Sequence, residues 1–534
     1  MELLKKISWD AGLYGKFSSL IRDYLKQSNE TSSFYKAFPS ESNLILQAKE
    51  KLQVYQNRET TYLALKNQLA HLELSPKQME NLEKFRLSNT VTITTGHQLN
   101  LLTGPLYFFH KILQVLKSCE EMNQNHPEFN FIPIFWMATE DHDFEEINHF
   151  YFKNQKFTWE KQTKGAVGRL NLEEIETVFQ NFFQYLPDSA NANSLKELIE
   201  KSYLNAENLT EATQKLVHQI FGEMGLLMID GDDKNLKKLM IPAFEEDLLK
   251  NTAFKKVSET NENFVQKNYS VQVNPREINL FYLGKGNIRE RIVCTNGFYE
   301  VLNSEIKFSK EEIIKELHSN PERFSPNVIL RPLYQETILP NISYIGGSGE
   351  IAYWLQLKSF FDSQQVLFPL ISVRNSLLFL TEKQHSKMEK LNLSYEDLLL
   401  PLYELVNRNV KENSDSEINF DVYESNLRKI FDELDTKATQ TDVSFSKMVN
   451  AQRTKQLKGL ERMKKRFLKA EKTKHSERVE RIEILYSELF PNGNLQERIT
   501  NFSEFWLEYG ADFKEKIYQE IHPFGFRFTI KTLP

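Results

Sequence analysis

Val91-Thr-Ile-Thr-Thr-Gly-His-Gln-Leu-Asn100, continuing into Leu101-Leu-Thr-Gly-Pro-Leu-Tyr107, decides how the chain is read. β-Branched residues fill Val91–Thr95, the composition of a strand. The strand gives way to Gly96-His97 and then to Thr103-Gly104-Pro105. Leu106, Phe109, Ile112, Leu113 and Leu116 follow at helical spacing. Thr103 is the expected N-cap, and Pro105 suits a first helical turn. Strand, glycine turn and helix in this order make half of a βαβ unit.

The same order recurs along the chain. Phe131-Ile-Pro-Ile-Phe-Trp-Met137 reads as a buried strand, its first half weakened by Pro133, and ends in Ala138-Thr-Glu-Asp-His-Asp143. Leu226–Ile229 ends in Asp230-Gly-Asp-Asp233, and Ile342–Ile345 ends in Gly346-Gly-Ser-Gly349. Val366–Val373 is a further strand candidate. Helical stretches separate these runs, so the expected fold class is α/β with a doubly wound parallel sheet. Such sheets bind ligands beyond the carboxyl ends of their strands, where polar or glycine-rich clusters fall here.

Outward from this core, residues 1–88 predict a helical lead-in. Leu44, Ala48, Leu52 and Tyr55, then Tyr62, Leu65, Leu69 and Leu72, recur at helical spacings. Residues 89–380 form the core, interrupted at about 150–215 and 255–310 by stretches that read as insertions walling the site. The second carries strand-like pieces at Tyr269–Val273, Leu280–Leu283 and Arg291–Cys294. Residues 381–534 are helical again. Leu457, Leu460, Met463, Phe467 and Ala470, then Val479, Ile482, Leu485 and Leu489, suit an α-helical arm or antiparallel coiled coil. Arg453–Arg481 carries +8 of a chain whose net charge is −6, leaving −14 elsewhere. A charge run of this kind most often marks a solvated helix face.

Composition excludes several classes. With 40% hydrophobic residues among 534, the chain is not globally disordered. Its two cysteines, Cys119 and Cys294, exclude a disulfide-stapled fold and read as small buried hydrophobes. No apolar run approaches the about 20 residues of a membrane helix, and no signal core opens the chain, so a cytoplasmic location without membrane contact is expected. Mild acidity argues against a nucleic-acid partner.

Three clusters can carry chemistry. Gly96 and Gly104 permit close approach of a ligand, and His97 can donate to a phosphate or move a proton. Glu140-Asp-His-Asp143 with Glu145 and Glu146 places five acids in seven residues, which repel unless a cation, an amine or a base compensates. Mg²⁺ binding, amine recognition and general-base work by Asp141, His142 or Asp143 are open beside an ordinary acid-rich helix start. Gly346–Gly349 can form a nest of amides for an anion. Arg331 can pair with a substrate carboxylate or, equally, with Glu336.

The blocks Thr95–Tyr107, Phe135–His149, Ser325–Glu336 and Gly346–Trp354 resemble the cysteine ligases of bacillithiol biosynthesis, over nearly the whole chain. The resemblance implies a Rossmann-type core with connecting-peptide insertions and a C-terminal coiled-coil domain that makes a homodimer. It also implies a ligase that joins cysteine to the amine of malyl-glucosamine. Thr103–His110 lines up with the Thr-Gly-x-Leu-His-x-Gly-His pattern of the related class I synthetase group. Tyr107 replaces the first histidine, Phe109 replaces the glycine, and His110 holds the last position.

Amide formation needs an activated carboxylate, so ATP is the expected cofactor, with Mg²⁺ as its companion and no tightly bound metal. The catalytic candidates are His97, Asp141, His142 and Asp143. The substrate-binding candidates are Thr95, Gly96, Gln98, Asn100, Thr103, Gly104, Tyr107, Trp136 and Glu140, then Asn327, Arg331, Tyr334, Gln335 and Glu336, then Gly346, Gly347, Ser348, Gly349, Glu350, Tyr353 and Trp354. Gln496 and Arg498 are candidates for a nucleotide site. The competing expectations are a metal-dependent hydrolase or phosphotransferase built on the acidic cluster, and a nucleotide- or sugar-binding scaffold.

Overall fold

The computed structural model describes residues 5–7, 17–284, 286–414 and 419–533. They fall into two compact units. One comprises the described residues up to Leu378 together with Asn494–Lys531, and the other Phe379–Gly493 with Thr532 and Leu533.

The first unit is built on a five-stranded parallel sheet. Its strands are β1 (Thr90–His97), β2 (Asn130–Met137), β3 (Leu227–Asp230), β4 (Asn341–Gly346) and β5 (Leu370–Val373), arranged β5-β4-β1-β2-β3. This is the doubly wound order expected from the sequence, and the direction of winding reverses between β1 and β4. β1 runs through Gly96-His97 rather than stopping at Thr95, and β5 starts at Leu370 rather than Val366. Pro133 is tolerated because β2 there pairs only with Ile93 of β1. Its pairing with β3 starts at Ile134, so no ladder donor is missed.

Helix α1 (Glu41–Val54) and helix α2 (Tyr107–Asn125) contribute to one core with the sheet. Leu44 and Ala48 meet Val91, Ile93, Val115, Cys119, Met122, Ile342 and Leu370. α2 is buried on nearly every side, with His110, Lys111, Gln114 and Ser118 enclosed among its apolar residues. Thr103 is not its N-cap. It lies in a 3₁₀ turn, Leu101–Thr103, at φ +63°, and the cap residue is Leu106.

The first insertion forms a hairpin, His149–Phe152 with Gln155–Thr158, followed by helices. The second forms an antiparallel sheet around Leu280–Gly284 and Ile288–Thr295, to which Phe324–Pro326 adds. Tyr269–Val273 is not a strand there. Cys294 is exposed on this sheet, whereas Cys119 is buried.

Asn494–Lys531, expected to belong with the helical arm, folds with the sheet unit instead. The reason is aromatic and polar complementarity to α2 and the turn before it. Phe109 packs on Phe502 at 5.0 Å, and Asn501 Nδ2 donates to Leu102 O and Gly104 O at 2.8 and 2.6 Å.

The second unit is helical. Helices Phe420–Ala438 and Val443–Lys474 run antiparallel, as paired side chains show: Lys464–Asp421 (2.7 Å), Arg453–Asp432 (2.9 Å) and Asn450–Asp435 (3.0 Å). Among the described residues no helix is long and apolar enough to cross a membrane.

A buried ion pair joins α1 to the core. Lys51 Nζ donates to Glu336 O at 2.7 Å and stands 4.0 Å from its Oε2, with both side chains at most 3% exposed. Burial raises the Glu336 carboxyl to about 7 against the pull of Lys51 and Asn341. Lys51→Met strands this group, and breaking a buried pair costs about 3–5 kcal/mol. The cost has a pH sign. A carboxyl raised in the folded state keeps its contribution at low pH, as the neutral form, and loses it as pH rises through the folded value. Denaturant unfolding should therefore show a larger loss for Lys51→Met at pH 9 than at pH 6, and Lys51→Met with Glu336→Gln should recover much of it.

Candidate active site

A cavity of about 910 Å³ opens over the carboxyl ends of β1, β2 and β4, at the reversal of winding. Sixteen of the expected site residues line it: Gly96, His97, Gln98, Tyr107, Trp136, Glu140, Asp141, His142, Asn327, Arg331, Gly347, Ser348, Gly349, Glu350, Tyr353 and Arg498. Four separate sequence blocks and the C-terminal return thus converge on one place.

The other candidates do not line it, and most hold something else. Thr95 Oγ1 donates to Ile345 O, Tyr334 OH to Gly231 O, and Asn100 Nδ2 to Glu146 O. Gln335 and Glu336 belong to the network around Lys51 and Asn341. Gly346 ends β4, Trp354 is buried behind Tyr344, and Gln496 is buried. Asp143 is exposed at the start of a short helix.

Thr103 and Gly104 form the turn that Asn501 clamps, so Gly104 serves close approach of the chain's own return rather than of a ligand. Its φ of +64° and the 2.7 Å from an added Cβ to Asn100 Cβ explain the glycine. His110 is fully buried against Glu497 and does not reach the cavity, although Tyr107 of the same pattern does.

At the reversal point, Lys111 Nζ donates to Gly96 O at 2.5 Å and to Glu350 Oε2 at 2.7 Å. Glu350 lies in helix α3 (Ser348–Leu355), and it also accepts from Tyr344 OH and the amide of Gly347. Burial would raise the Glu350 carboxyl, but Lys111 outweighs it and holds it below its ordinary value. The Gly347 amide is therefore taken by Glu350. Gly347, Ser348 and Gly349 all line the cavity, the last two from the first turn of α3. His97 sits between Tyr107 and Phe108, and burial with nearby Lys111 pushes its imidazole down to about 3. It is neutral at physiological pH.

Arg331 does not pair with Glu336. Its guanidinium donates to Gln335 Oε1 at 3.0 Å and Tyr353 OH at 3.3 Å, within 6.0 Å of the ring centres of Trp136, Tyr344 and Trp354. This frame presents a rigid cation to the cavity. The acidic cluster divides. Glu140 is neutralised by Lys237 at 2.5 Å. Asp141 and Glu146 instead share one neutral donor, since Gln98 Nε2 reaches Asp141 Oδ2 at 2.7 Å and Glu146 Oε2 at 2.9 Å. Two carboxylates held together by an amide suit a substrate ammonium. Among the described residues no three His, Cys, Asp or Glu side chains gather as a metal site requires.

Several lining residues were not anticipated. Lys111 lies one helical turn beyond Tyr107, so the i, i+4 spacing could have found it. Arg374 directly follows β5, where the rule of strand ends also pointed. Arg276, in the segment before the inserted sheet, and Arg289 and Arg291 within it carry no local signal, nor does Glu146 beyond its place in the acidic run. In all, seven cationic side chains and four carboxylates line the cavity, a balance suited to a net anionic ligand.

Arg374 is aimed from behind by the C-terminal return. Glu497, 2% exposed, accepts from Arg374 at 2.7 Å and bonds His110 Nδ1 at 3.0 Å. The guanidinium lies over Tyr107 at 4.9 Å, and its buried Nε has no partner. Burial would raise the Glu497 carboxyl, but Arg374 and His110 hold it far below its ordinary 4.5. Glu497→Gln should cost about 3 kcal/mol in denaturant unfolding. A depressed carboxyl contributes above its unfolded value and loses that contribution as pH falls. The gap between variant and wild type should therefore narrow below about pH 4.5.

Comparison with known proteins agrees with this architecture. Residues 4–375 match the family model described as "Bacillithiol biosynthesis BshC, N-terminal Rossmann-like domain", and residues 377–533 match its C-terminal coiled-coil domain. A Flavobacterium johnsoniae protein named "Putative cysteine ligase BshC" is 48% identical over 97% of this chain and 98% of its own. Proteins of the same name from Flavobacterium psychrophilum and Christiangramia forsetii are 48% and 45% identical, each over 97% of both chains. Among solved structures, a Campylobacter jejuni chain described as a putative arginyl-tRNA synthetase aligns with 87% of this chain and 98% of its own. Its identity of 10% and TM-score of 0.22 carry no argument. With both domain models and near full-length relatives matched, the chain belongs to the BshC family of bacillithiol biosynthesis.

Proposed function

We propose that the chain is a ligase that joins the carboxylate of cysteine to the free amine of malyl-glucosamine, forming the amide of bacillithiol. The observation that carries this reading is a single cavity, in a chain of this family, that holds an unneutralised carboxylate pair beside fixed guanidinium groups. The glucosamine amine arrives as an ammonium, for which Asp141 and Glu146 supply two acceptors. One of them takes its proton, since only the neutral amine is a nucleophile. Arg331, fixed among aromatic rings, holds the cysteine carboxylate. The C–N bond forms as the activated carboxyl loses its leaving oxygen.

A nucleoside triphosphate, when bound, would supply the activation that a carboxylate needs before an amine can displace its oxygen. The residues fit such a group. Ser348 and Gly349 open the first turn of α3, and Arg374 and Arg498 line the same cavity, with Arg374 Nε buried and unpartnered.

The reading also includes a homodimer through the helical unit. Val422, Tyr423, Ile430 and Leu434 of one long helix and Val443, Met448 and Met463 of the other are exposed apolar side chains, more than a solvated helix pair carries.

Two experiments test these statements. A bacillithiol-producing host lacking its own copy of the gene should accumulate malyl-glucosamine and regain bacillithiol when given this chain. The Arg331→Met variant should restore about a tenth or less, the loss of one charge-assisted contact. Accumulation without rescue by the wild-type chain would reject the ligase reading. In light scattering the wild-type protein should have twice the chain mass and Ile430→Glu with Leu434→Glu should have the mass of one chain.

A further inference from the structure

The inserted sheet meets the acidic cluster through a polar contact. Arg289 Nη1 lies 2.7 Å from His142 Nδ1. A guanidinium has donors only and keeps its charge at any physiological pH. The ring nitrogen facing it must therefore carry a lone pair, and a neutral imidazole then bears its proton on Nε2.

Arg289 is not free to swing away. Nε donates to Ser325 Oγ at 3.0 Å, Nη2 donates to Pro326 O at 3.2 Å, and the guanidinium lies 3.8 Å from the centre of the Phe281 ring. It is 6% exposed. The same Phe281 packs on His142 at 5.4 Å, so both partners are set by one aromatic surface. The groups that face His142 do not reverse this. Asp141 Oδ1 is 3.7 Å from Nδ1, beyond hydrogen-bond reach, and it is held instead by the amides of His142 at 2.7 Å and Asp143 at 3.4 Å. Asp141, Asp143 and Glu290 favour the imidazolium, but burial and Arg289 together outweigh them and push the ring below its ordinary value.

We propose that Arg289 locks His142 as the Nε2–H tautomer, making His142 a fixed hydrogen-bond donor to a substrate oxygen and not a base. This corrects the expectation that His142 moves the substrate proton, and leaves that task to Asp141 or Glu146. The oxygen it meets is anionic. The same wall carries Arg276 and Arg291, whose guanidinium groups have no hydrogen-bond or ion-pair partner among the described residues. A carboxylate of the malyl group fits there. The donor role rests on the ligase reading; the tautomer does not.

Histidine-selective ¹⁵N labelling of the full chain reads the tautomer, with His142 assigned by its absence in His142→Gln. The expected wild-type spectrum has unprotonated Nδ1 and protonated Nε2 from about pH 6 to 9. A protonated Nδ1, or an averaged pair, would overturn the proposal. Arg289→Met should average the two nitrogens, and an unchanged spectrum would remove Arg289 from it. In the complemented host, His142→Ala should lower bacillithiol at least about tenfold, the worth of a hydrogen bond to a charged group. His142→Gln, which keeps a donor but no titratable proton, should rescue most of that loss. Equal loss in both variants would overturn the donor role. If the wild-type chain itself makes no bacillithiol, the ligase reading has failed and the nitrogen spectrum still decides the tautomer.

Discussion

Lys111, buried, and Glu350, part-exposed in the cavity wall, form an ion pair where the winding of the sheet reverses, and the site is built around it. Lys111 comes from the helix after β1 and Glu350 from the helix after β4. Because Lys111 also holds Gly96 O and Glu350 also holds the Gly347 amide, one pair ties together the two loops that parallel strands leave apart. Burying two charges is costly unless every donor and acceptor is matched, and here Tyr344 supplies a further bond. The same pair governs its neighbours. It fixes the carboxylate of Glu350 and leaves the first turn of α3 facing the cavity, and its lysine adds to the burial that keeps His97 neutral.

Around this staple, charge is divided by place. Asp141 and Glu146 are joined through the amide of Gln98, whereas Glu140 is paired with Lys237. Arg331 is held by rings and neutral side chains, and Arg374 by Glu497 from the C-terminal return. The return therefore does more than close the fold. Asn501 clamps the turn before α2, Glu497 aims a guanidinium, and Arg498 lines the cavity. A site completed by Glu497 and Arg498 depends on contacts of high sequence separation, such as His110 with Glu497.

The parallel sheet was legible because each strand is β-branched or aromatic and stops at a glycine or a charge, as in Val91–His97 and Asn341–Gly346. The site was legible to the same extent, since residues at strand ends must face the cavity. What escaped were partners supplied from far along the chain. Nothing near Arg374 announces Glu497, and nothing near His142 announces Arg289, because pairing of this kind is set by the fold and not by spacing. Thr103 and Gly104 were misread for a related reason. A positive-φ turn marks close approach, but the sequence does not say whether a ligand or the protein's own backbone approaches. His110 and Glu336 look like site residues by their blocks, yet both are buried polar groups bonded within the fold, to Glu497 and to Asn341.

The central claim is that amine and carboxylate meet in this cavity, between the Asp141–Glu146 pair and Arg331. A crystal structure of the protein with cysteine and malyl-glucosamine, without nucleotide, tests it most directly. The account predicts the glucosamine nitrogen within hydrogen-bond distance of Asp141 or Glu146, and within about 3.5 Å of the cysteine carboxyl carbon held at Arg331. Either ligand bound outside this cavity, or the amine turned away from both carboxylates, would contradict it.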